Sequence, residues 1–463
     1  MDAFIEEVVR RLPLAQAVLH LFDFAFEPRF LDEIYEQHRG RCYTDELTFP
    51  ALVGLMRDCL LVHGGSGRKG VVAAEQAGAM PVDQSSFYRK LANMPAAVSQ
   101  ALLRACTRRL AELVPPAQAR SLPACVGGMD VLDTDGKKLK RAAKRLKACR
   151  GYGGKLLAAK VLVAMDARTG LAVAMSCSQD GEANDVPLVP DLLPQARQAC
   201  GGGGRPILWV VDRQFGDLQT PRKLMGDGRD HYLARVSTGP TFEPDPDRPP
   251  ATGVDAHGRA YTDQCGWLGA RANKHRLYVR RIQMTLADGE LLTLITDLTD
   301  AAAFPAIDLL ELYRGRWGIE QLFQQEVTEV FELRRLIGCT PKAGLFQAAF
   351  CLLMYNLIQV VKAYAAADGG VEPAAVSTHN LFYDVKRELI CWTHFDAPVL
   401  RSPTREPAAM RQHLAALLGG AWRAAWLKAA DKKPRPKPAE KKRLNGGHTS
   451  VWRLLQAAAE APA

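Results

Sequence analysis

The run ILWVVD at 207–212 is the tightest constraint on what this chain can fold into. It is continuously apolar, the pattern of a strand buried on both faces, so the fold must contain a sheet covered on each side. Other segments supply neighbours for it. CVGGMDVLD (125–133) reads as a strand running into a turn-like TDG. KLLAAKVLVAMD (155–166) and LAVAMSCS are joined by Ala167-Arg168-Thr169-Gly170, which predicts a hairpin. Two further strand-like runs, RLYVRRIQMTL and ELLTLITDL, meet through Asp288-Gly289, a common hairpin turn pair. With helical periodicity on either side of these runs, the class is α/β.

The pattern along the chain divides it into six stretches. Residues 1–118 are helical, with apolar positions three and four apart through VVRRLPLAQAVLHLF and PALVGLMRDCLLVHG. Within them, 69–78 and 84–95 flank Met80-Pro81-Val82-Asp83 as a helix-turn-helix would, with Ser85, Ser86, Tyr88, Arg89 and Lys90 toward a groove. An ordinary helical hairpin fits the same spacing. Strands dominate 119–235, and 236–303 reads as a separate β-rich insertion. From 304 to 370 the chain is helical again. A long helix starts near Pro305, with Asp308 and Glu311 at its positive end, and runs through Ile319, Leu322, Phe323, Val327 and Val330. Residues 371–430 form a helical C-terminal region. The tail 431–463 contains KKPRPKPAEKKR, whose seven basic residues and three prolines predict disorder.

Composition narrows the partners. Sixty Lys and Arg against fifty Asp and Glu leave a net charge of +10, which favours a polyanion or an anionic surface. Eleven cysteines occur without any Cys-x-x-Cys pair, which points to reduced thiols rather than a disulfide framework or zinc site. The first residues, MDAFIEEVVRRL, lack a signal-peptide core. The most apolar stretch, Leu345 to Val361, contains Gln347, Asn356 and Gln359 and suits a buried core helix better than a membrane span. A soluble, cytoplasmic protein is expected. None of the ten histidines has metal-ligand spacing, and Gly201–Gly204 reads as a flexible loop.

Three acids stand where carboxylates can do metal work. Asp135 follows the first strand, Asp212 ends the buried strand, and Glu320 lies on the long helix. Strand ends at a sheet rim can aim carboxylates at one point, and Mg²⁺ needs only a few hard oxygen ligands. Spacing alone does not single out these three. On a helix turning about 100° per residue, Tyr313, Arg316, Glu320 and position 327 fall within about 60° of one another. A guanidinium there could fork a phosphate beside a metal-bound carboxylate, with the phenol adding a hydrogen bond. The plain alternative is an i,i+4 Arg316–Glu320 surface salt bridge. Gly315 and Gly318 weaken this helix, and close approach of another backbone or of DNA would explain them.

The segment YRGRWGIE resembles the Tyr-x2-Arg-x3-Glu signature of insertion-sequence DDE transposases, in the subgroup (insertion-sequence-four type) defined by Tyr, Arg, Glu and Lys. Asp-Gly-Lys at 135–137, RLK at 145–147, DGEANDVPLVPDLL at 180–193, VVDRQFGDL at 210–218, ITDL at 295–298 and FQAAFCLLMYNL at 346–357 resemble that family's core blocks. The likeness covers roughly 120–370. It implies a ribonuclease-H-like core interrupted by the β-rich insertion, with the helical N-terminal region binding DNA. It implies Asp135, Asp212 and Glu320 as a triad for two Mg²⁺ ions, with Mn²⁺ as a substitute, and Tyr313, Arg316 and Trp317 at the transposon-end DNA. The implied chemistry is cut-and-paste transposition through a hairpin intermediate, on double-stranded DNA, by a homodimer, with no membrane and no nucleotide cofactor.

Two departures qualify the likeness. The signature Lys is replaced by Val327, which continues the apolar stripe; Gln324 or Arg334 could supply a substitute contact. The first block also holds Asp130 and Asp133; the Asp-Gly-Lys context favours Asp135, with Asp133 as the competitor. Next to it, KKLKRAAKRLKACR (137–150) carries eight basic residues and no acid. Lys137, Lys138, Lys140 and Arg141 there, and Arg213 beside Asp212, are candidate phosphate contacts, although a solvated basic helix is the ordinary reading of such a run. Asn184 and Asp185 have no chemistry derivable from sequence, and Asp180 and Glu182 read as turn residues. Apart from transposition, a transposase-derived DNA-binding protein or a nuclease of the same fold remains open.

Overall fold

The computed structural model describes residues 7–460 except 9, 44–45, 81, 227, 237–239, 287–288, 324–326, 328–330, 332, 334, 395–399 and 429–446, with only the backbone of Trp317 and Gln321. The chain opens with helices α1 (Pro13–Ala25), α2 (Pro28–His38), α3 (Phe49–Leu61), α4 (Gly67–Gln76), α5 (Gln84–Asn93) and α6 (Ala96–Ala111). Their starts are written locally. Proline occupies the first turn of α1, α2 and α3, where its missing N–H costs nothing, and the side chains of Thr48, Ser66 and Asp83 cap α3, α4 and α5. The expected pair of short helices is present as α4 and α5, but their turn includes Pro81, outside the described residues. Ser85 and Arg89 are exposed. Lys90 instead donates to the carbonyls of Tyr43 and Leu47, so it serves the protein rather than a groove.

The sheet follows. Its first strands are β1 (Asp130–Lys140), β2 (Lys155–Asp166) and β3 (Ala172–Ser178), an antiparallel meander with the predicted 167–170 turn. After helix α7 (Val189–Ala199) comes β4 (Ile207–Val211), then helix α8 (Thr220–Met225) and β5 (His231–Arg235). Strands β1, β4 and β5 run parallel. Every residue of β4 is buried, as its unbroken apolar run requires.

The β-rich stretch is β6 (Phe242–Pro244), β7 (Ala251–Val254), β8 (Ala260–Leu268), β9 (Leu277–Thr285) and β10 (Leu291–Thr296). It does not form a sheet of its own. β10 pairs antiparallel with β5, and β9, β8 and β6 continue outward, giving one eleven-stranded sheet. An unpaired β5 edge would expose a row of backbone donors and acceptors, and the insertion covers it.

Helices α9 (Ala306–Gly315) and α10 (Trp317–Gln321) come next, then the long α11 (Pro341–Asp368). Helix α11 is long and apolar enough by composition to cross a membrane, yet 94% of its most apolar window is buried inside the protein. Thr107, Asn356 and Ala172 are bonded together there, which satisfies the polar Asn356. Helices α12 (Thr378–His394) and α13 (Pro407–Leu418) pack on the N-terminal helices. The tail is not uniformly irregular: β11 (His448–Ser450) pairs with β2 and leads into α14 (Val451–Glu460). Asp180 and Glu182, in the turn after β3, hold it through Arg453. The basic run 432–443 lies outside the described residues.

Candidate active site

Register places the first two acids. β1 and β4 are neighbours in parallel register with Thr134 opposite Val211, so Asp135 and Asp212 follow side by side where that pairing ends. β4 stops there, but β1 runs on through the expected TDG turn to Lys140, so Asp135 lies inside its strand rather than after it. The pleat turns alternate residues to one face. Val131, Asp133 and Asp135 therefore share the face on which Leu208 and Val210 meet Leu309, Leu310 and Leu312 of α9. Asp212 sits in an Asx turn, its Oδ1 accepting from the backbone N–H of Gln214 at 2.8 Å. Asp135 Oδ1 accepts from the N–H of Gly136 at 2.8 Å.

The third acid arrives on a broken helix. The sequence predicts one continuous helix from Pro305 to Val330, but the chain turns at Arg316, between α9 and α10. Tight i,i+3 bonds mark the turn: Arg316 N–H to the Tyr313 carbonyl and Ile319 N–H to the Arg316 carbonyl, at 3.1 and 3.0 Å. Gly315 has a close neighbour that the sequence did not show. A Cβ there would sit 2.1 Å from Nη2 of Arg120, whose guanidinium lies against the glycine. Within the protein, the close neighbour is a side chain and not a backbone.

Arg316 Nη2 donates to Glu320 Oε1 at 2.5 Å. This is the i,i+4 pair of the plain reading, but not a surface one, because Arg316 is only 5% exposed. Its guanidinium lies 5.3 Å from the Tyr313 ring centroid, and Tyr313 is buried as well. Neither faces solvent as a phosphate grip would. Trp317 opens α10.

The carboxylates act on one another. Burial, with the neighbouring charges of Asp212 and Glu320 adding to it, lifts the Asp135 carboxyl to about 6, against the pull of Gly136 and Arg316. Asp212 is raised too, by burial first, with Asp185 and Glu320 contributing. Asp133 is a different case: burial pushes it to about 7, and its charged neighbours are Arg120, Arg316 and Asp166, not Asp212 or Glu320. Among the described residues, no three His, Cys, Asp or Glu side chains converge as a ready coordination shell. The donor set nonetheless suits a hard cation: three carboxylates held close enough to repel, with a single guanidinium among them. Mg²⁺ keeps several waters and needs few protein ligands.

The basic candidates separate. Lys138, Lys140, Arg141 and Arg213 are exposed. Lys137 is half-buried and donates to the Phe323 carbonyl at 2.8 Å, so it braces the region after α10. The run 137–150 is not a basic helix; it is the end of β1 and an irregular segment with one short turn at 147–149. Val327 is buried with Ile319 and Phe323, as its place in the apolar stripe predicts. Gln324 and Arg334 lie outside the described residues.

Sequence reasoning missed two features. Arg120 reaches the α9–α10 turn from the segment before β1. On the opposite sheet face, Lys160 and Asp185 form a buried ion pair at 2.6 Å. A Cβ on Gly136 would fall 1.8 Å from Asp185 Oδ1, so this pair lies directly against the backbone beside Asp135. The legible signal was Lys160 itself, a lone charge inside an apolar strand.

These elements fall within a recognised sequence family. A model of the family described as "Transposase DDE domain" matches residues 126–357, a span that holds Asp135, Asp212 and Glu320. A protein of Sinorhizobium fredii (strain NBRC 101917 / NGR234), named "Putative transposase y4zB", is 32% identical over 82 residues, 18% of this chain. The aligned stretch spans 22% of that relative's own length. Among solved structures, the piggyBac transposase synaptic complex with hairpin DNA aligns over 93% of this chain and 88% of that one, at TM-score 0.40 and 11% identity. With half of its length matched by the family model, a stretch that runs from β1 into α11, the chain belongs to the DDE transposase domain family.

Proposed function

We propose that this transposase cleaves DNA at transposon ends and joins the freed ends to target DNA, with Asp135, Asp212 and Glu320 holding two divalent metal ions. The observation that carries the reading is that Asp135 and Asp212 stand side by side where the β1–β4 pairing ends, with the charge of Glu320 on α10 reaching both. Divalent ions bound there would supply Lewis-acid stabilisation of the attacking and leaving oxygens of a phosphodiester. The protein's own groups do the rest. β1 and β4 fix the two aspartates on rigid backbone. Arg316 balances the negative charge at Glu320. Lys138, Lys140, Arg141 and Arg213 are exposed and would neutralise DNA phosphates. Hydrolysis frees a 3′ hydroxyl, and that hydroxyl attacks the second phosphate, so no covalent protein intermediate and no nucleotide is required. The core strand order β3-β2-β1-β4-β5 with β2 reversed supports a ribonuclease-H-like arrangement. The insertion-sequence subgroup with the Tyr-Arg-Glu-Lys signature, a homodimer bridging two ends, N-terminal DNA binding and a cytoplasmic setting complete the reading. The eleven unpaired cysteines fit that last point.

The test is Mg²⁺-dependent cleavage of DNA carrying the element's own ends, comparing wild type with Glu320→Ala. Cleavage lost in the variant with DNA binding kept supports the reading. Binding without cleavage in both proteins sinks it and leaves the second reading, a transposase-derived DNA-binding protein. The buried Val327 at the signature Lys position is the observation that favours that alternative.

A further inference from the structure

Arg316 is withdrawn from solvent with much of its hydrogen-bonding capacity unused. Nη2 is engaged by Glu320, while Nε and Nη1 are buried without a hydrogen-bond partner. Such atoms are rare in folded proteins and costly where they occur. The complementary group lies in the same pocket. Asp133 is 1% exposed, shares the sheet face of Asp135, and its Oδ1 is buried without a hydrogen-bond partner. The charges of Arg120 and Arg316 both act on it. A buried cation with spare donors thus has Asp133, Asp135 and Asp212 within electrostatic reach besides Glu320, to which it is bonded; Asp135 and Asp212 are read as metal ligands, which leaves Asp133.

We propose that Asp133 is the second seat of Arg316: when a divalent cation engages Glu320, the guanidinium leaves that carboxylate and is taken up by Asp133. The proposal rests on the reading of Glu320 as a metal ligand. A guanidinium and a dication cannot share one carboxylate without strong repulsion where water is excluded. Nor can Arg316 be left unpaired in the interior, because a buried charge stripped of its partner is strongly disfavoured. An adjacent unused carboxylate resolves both costs. Arg120 acts on Asp133 most strongly among the charged groups, but it is exposed and lies against Gly315, so solvent can serve its donors in a way the buried Arg316 cannot share. Asp166, which also acts on Asp133, adds negative charge and so favours a guanidinium there. Asp133 is then a positioning residue: it touches neither metal nor DNA and acts through Arg316.

The experiment is Mn²⁺ binding to the full-length, DNA-free protein, followed by electron paramagnetic resonance, for wild type, Asp133→Asn, Arg316→Met and the double variant. Asp133→Asn is expected to weaken Mn²⁺ binding about tenfold, because Arg316 then stays on Glu320. Arg316→Met is expected to tighten it, and adding Asp133→Asn to Arg316→Met should change nothing further. Asp133→Glu should restore most of the wild-type affinity. An unchanged affinity in Asp133→Asn, or the same loss in the Arg316→Met background, overturns the exchange. The second outcome would make Asp133 a ligand in its own right. If Asp133→Asn fails to fold, Arg316→Met still decides: no tightening overturns the proposal. Wild-type binding that is lost in Glu320→Ala but indifferent to Asp133→Asn removes the exchange alone. No Mn²⁺ binding by wild type removes the metal reading and the exchange with it.

Discussion

Arg280 in the insertion and Arg316 at the α9–α10 turn are both buried, at 1% and 5% exposure, and each faces a carboxylate. Every nitrogen of Arg280 is bonded. Nε and Nη2 fork Asp263 at 2.8 and 2.6 Å, and Nη1 donates to the carbonyls of Leu298 and Phe304. Arg316 makes one bond to Glu320 and leaves two buried nitrogens without a hydrogen-bond partner. Fixed architecture closes every donor, because each open one costs stability. Arg280 ties β8 and β9 to the segment that leads into α9, so it sets where that helix begins. Arg316 keeps donors in reserve, and a group with unused bonds can change partners.

The contrast can be broken at its functional end first. Glu320→Ala should lower DNA cleavage by at least about 10³-fold, a loss of the size seen when a key electrostatic group is deleted, with DNA binding retained in a gel-shift assay. Retained cleavage would make Glu320 a structural partner like Asp263. The next effect is on stability. Arg280→Met leaves Asp263 buried and unpaired, and chemical denaturation should show a loss of about 3–5 kcal/mol. Arg316→Met should cost less, about 1–2 kcal/mol, since one hydrogen bond is lost and Glu320 is partly exposed. Equal losses in the two variants would erase the distinction.

A pH series sharpens the same point. Burial raises Asp133 to about 7 and Asp135 to about 6, above the ordinary carboxyl value of 3.8. Between about pH 4 and 7 the folded protein then holds protons that the unfolded chain has lost. Metal-free stability should therefore fall as pH rises through that window, and Asp133→Asn should flatten the slope. Removing Arg316, which holds the Asp133 carboxyl down, should steepen it. The smallest effects belong to the surface. Lys138→Ala or Lys140→Ala should each reduce the salt dependence of DNA binding by about one unit of slope, whereas Lys137→Ala should leave it unchanged, its ammonium being used at Phe323.

Much of this architecture is local in origin and was legible. The hairpin of β2 and β3, the buried β4 and the capped N-terminal helices follow from alternation, apolar runs and capping residues. Asp212 also stood out because it closes a strand, and Glu320 because it lies in a dense motif; Asp135 was expected after a strand and lies inside one, because β1 continues to Lys140. The insertion was read as a separate unit because nothing in its own residues shows that β10 pairs with β5. The tail was read as disordered throughout because its basic, proline-rich run masked the short β11 and α14 behind it.

By itself the sequence determined most of the strands and helices, that Asp212 closes a buried strand, and that Val327 continues an apolar stripe. These are properties of residues and their near neighbours, readable at periods of two and three to four. Tertiary structure alone decided which charges share a pocket. That Arg120 crosses Gly315, that Asp185 presses on Gly136, that Arg316 bonds Glu320 while its charge reaches Asp133, and that Lys137 turns inward are consequences of long-range packing. Burial, and with it the strength of every charge–charge interaction, is set by atoms far away in the chain.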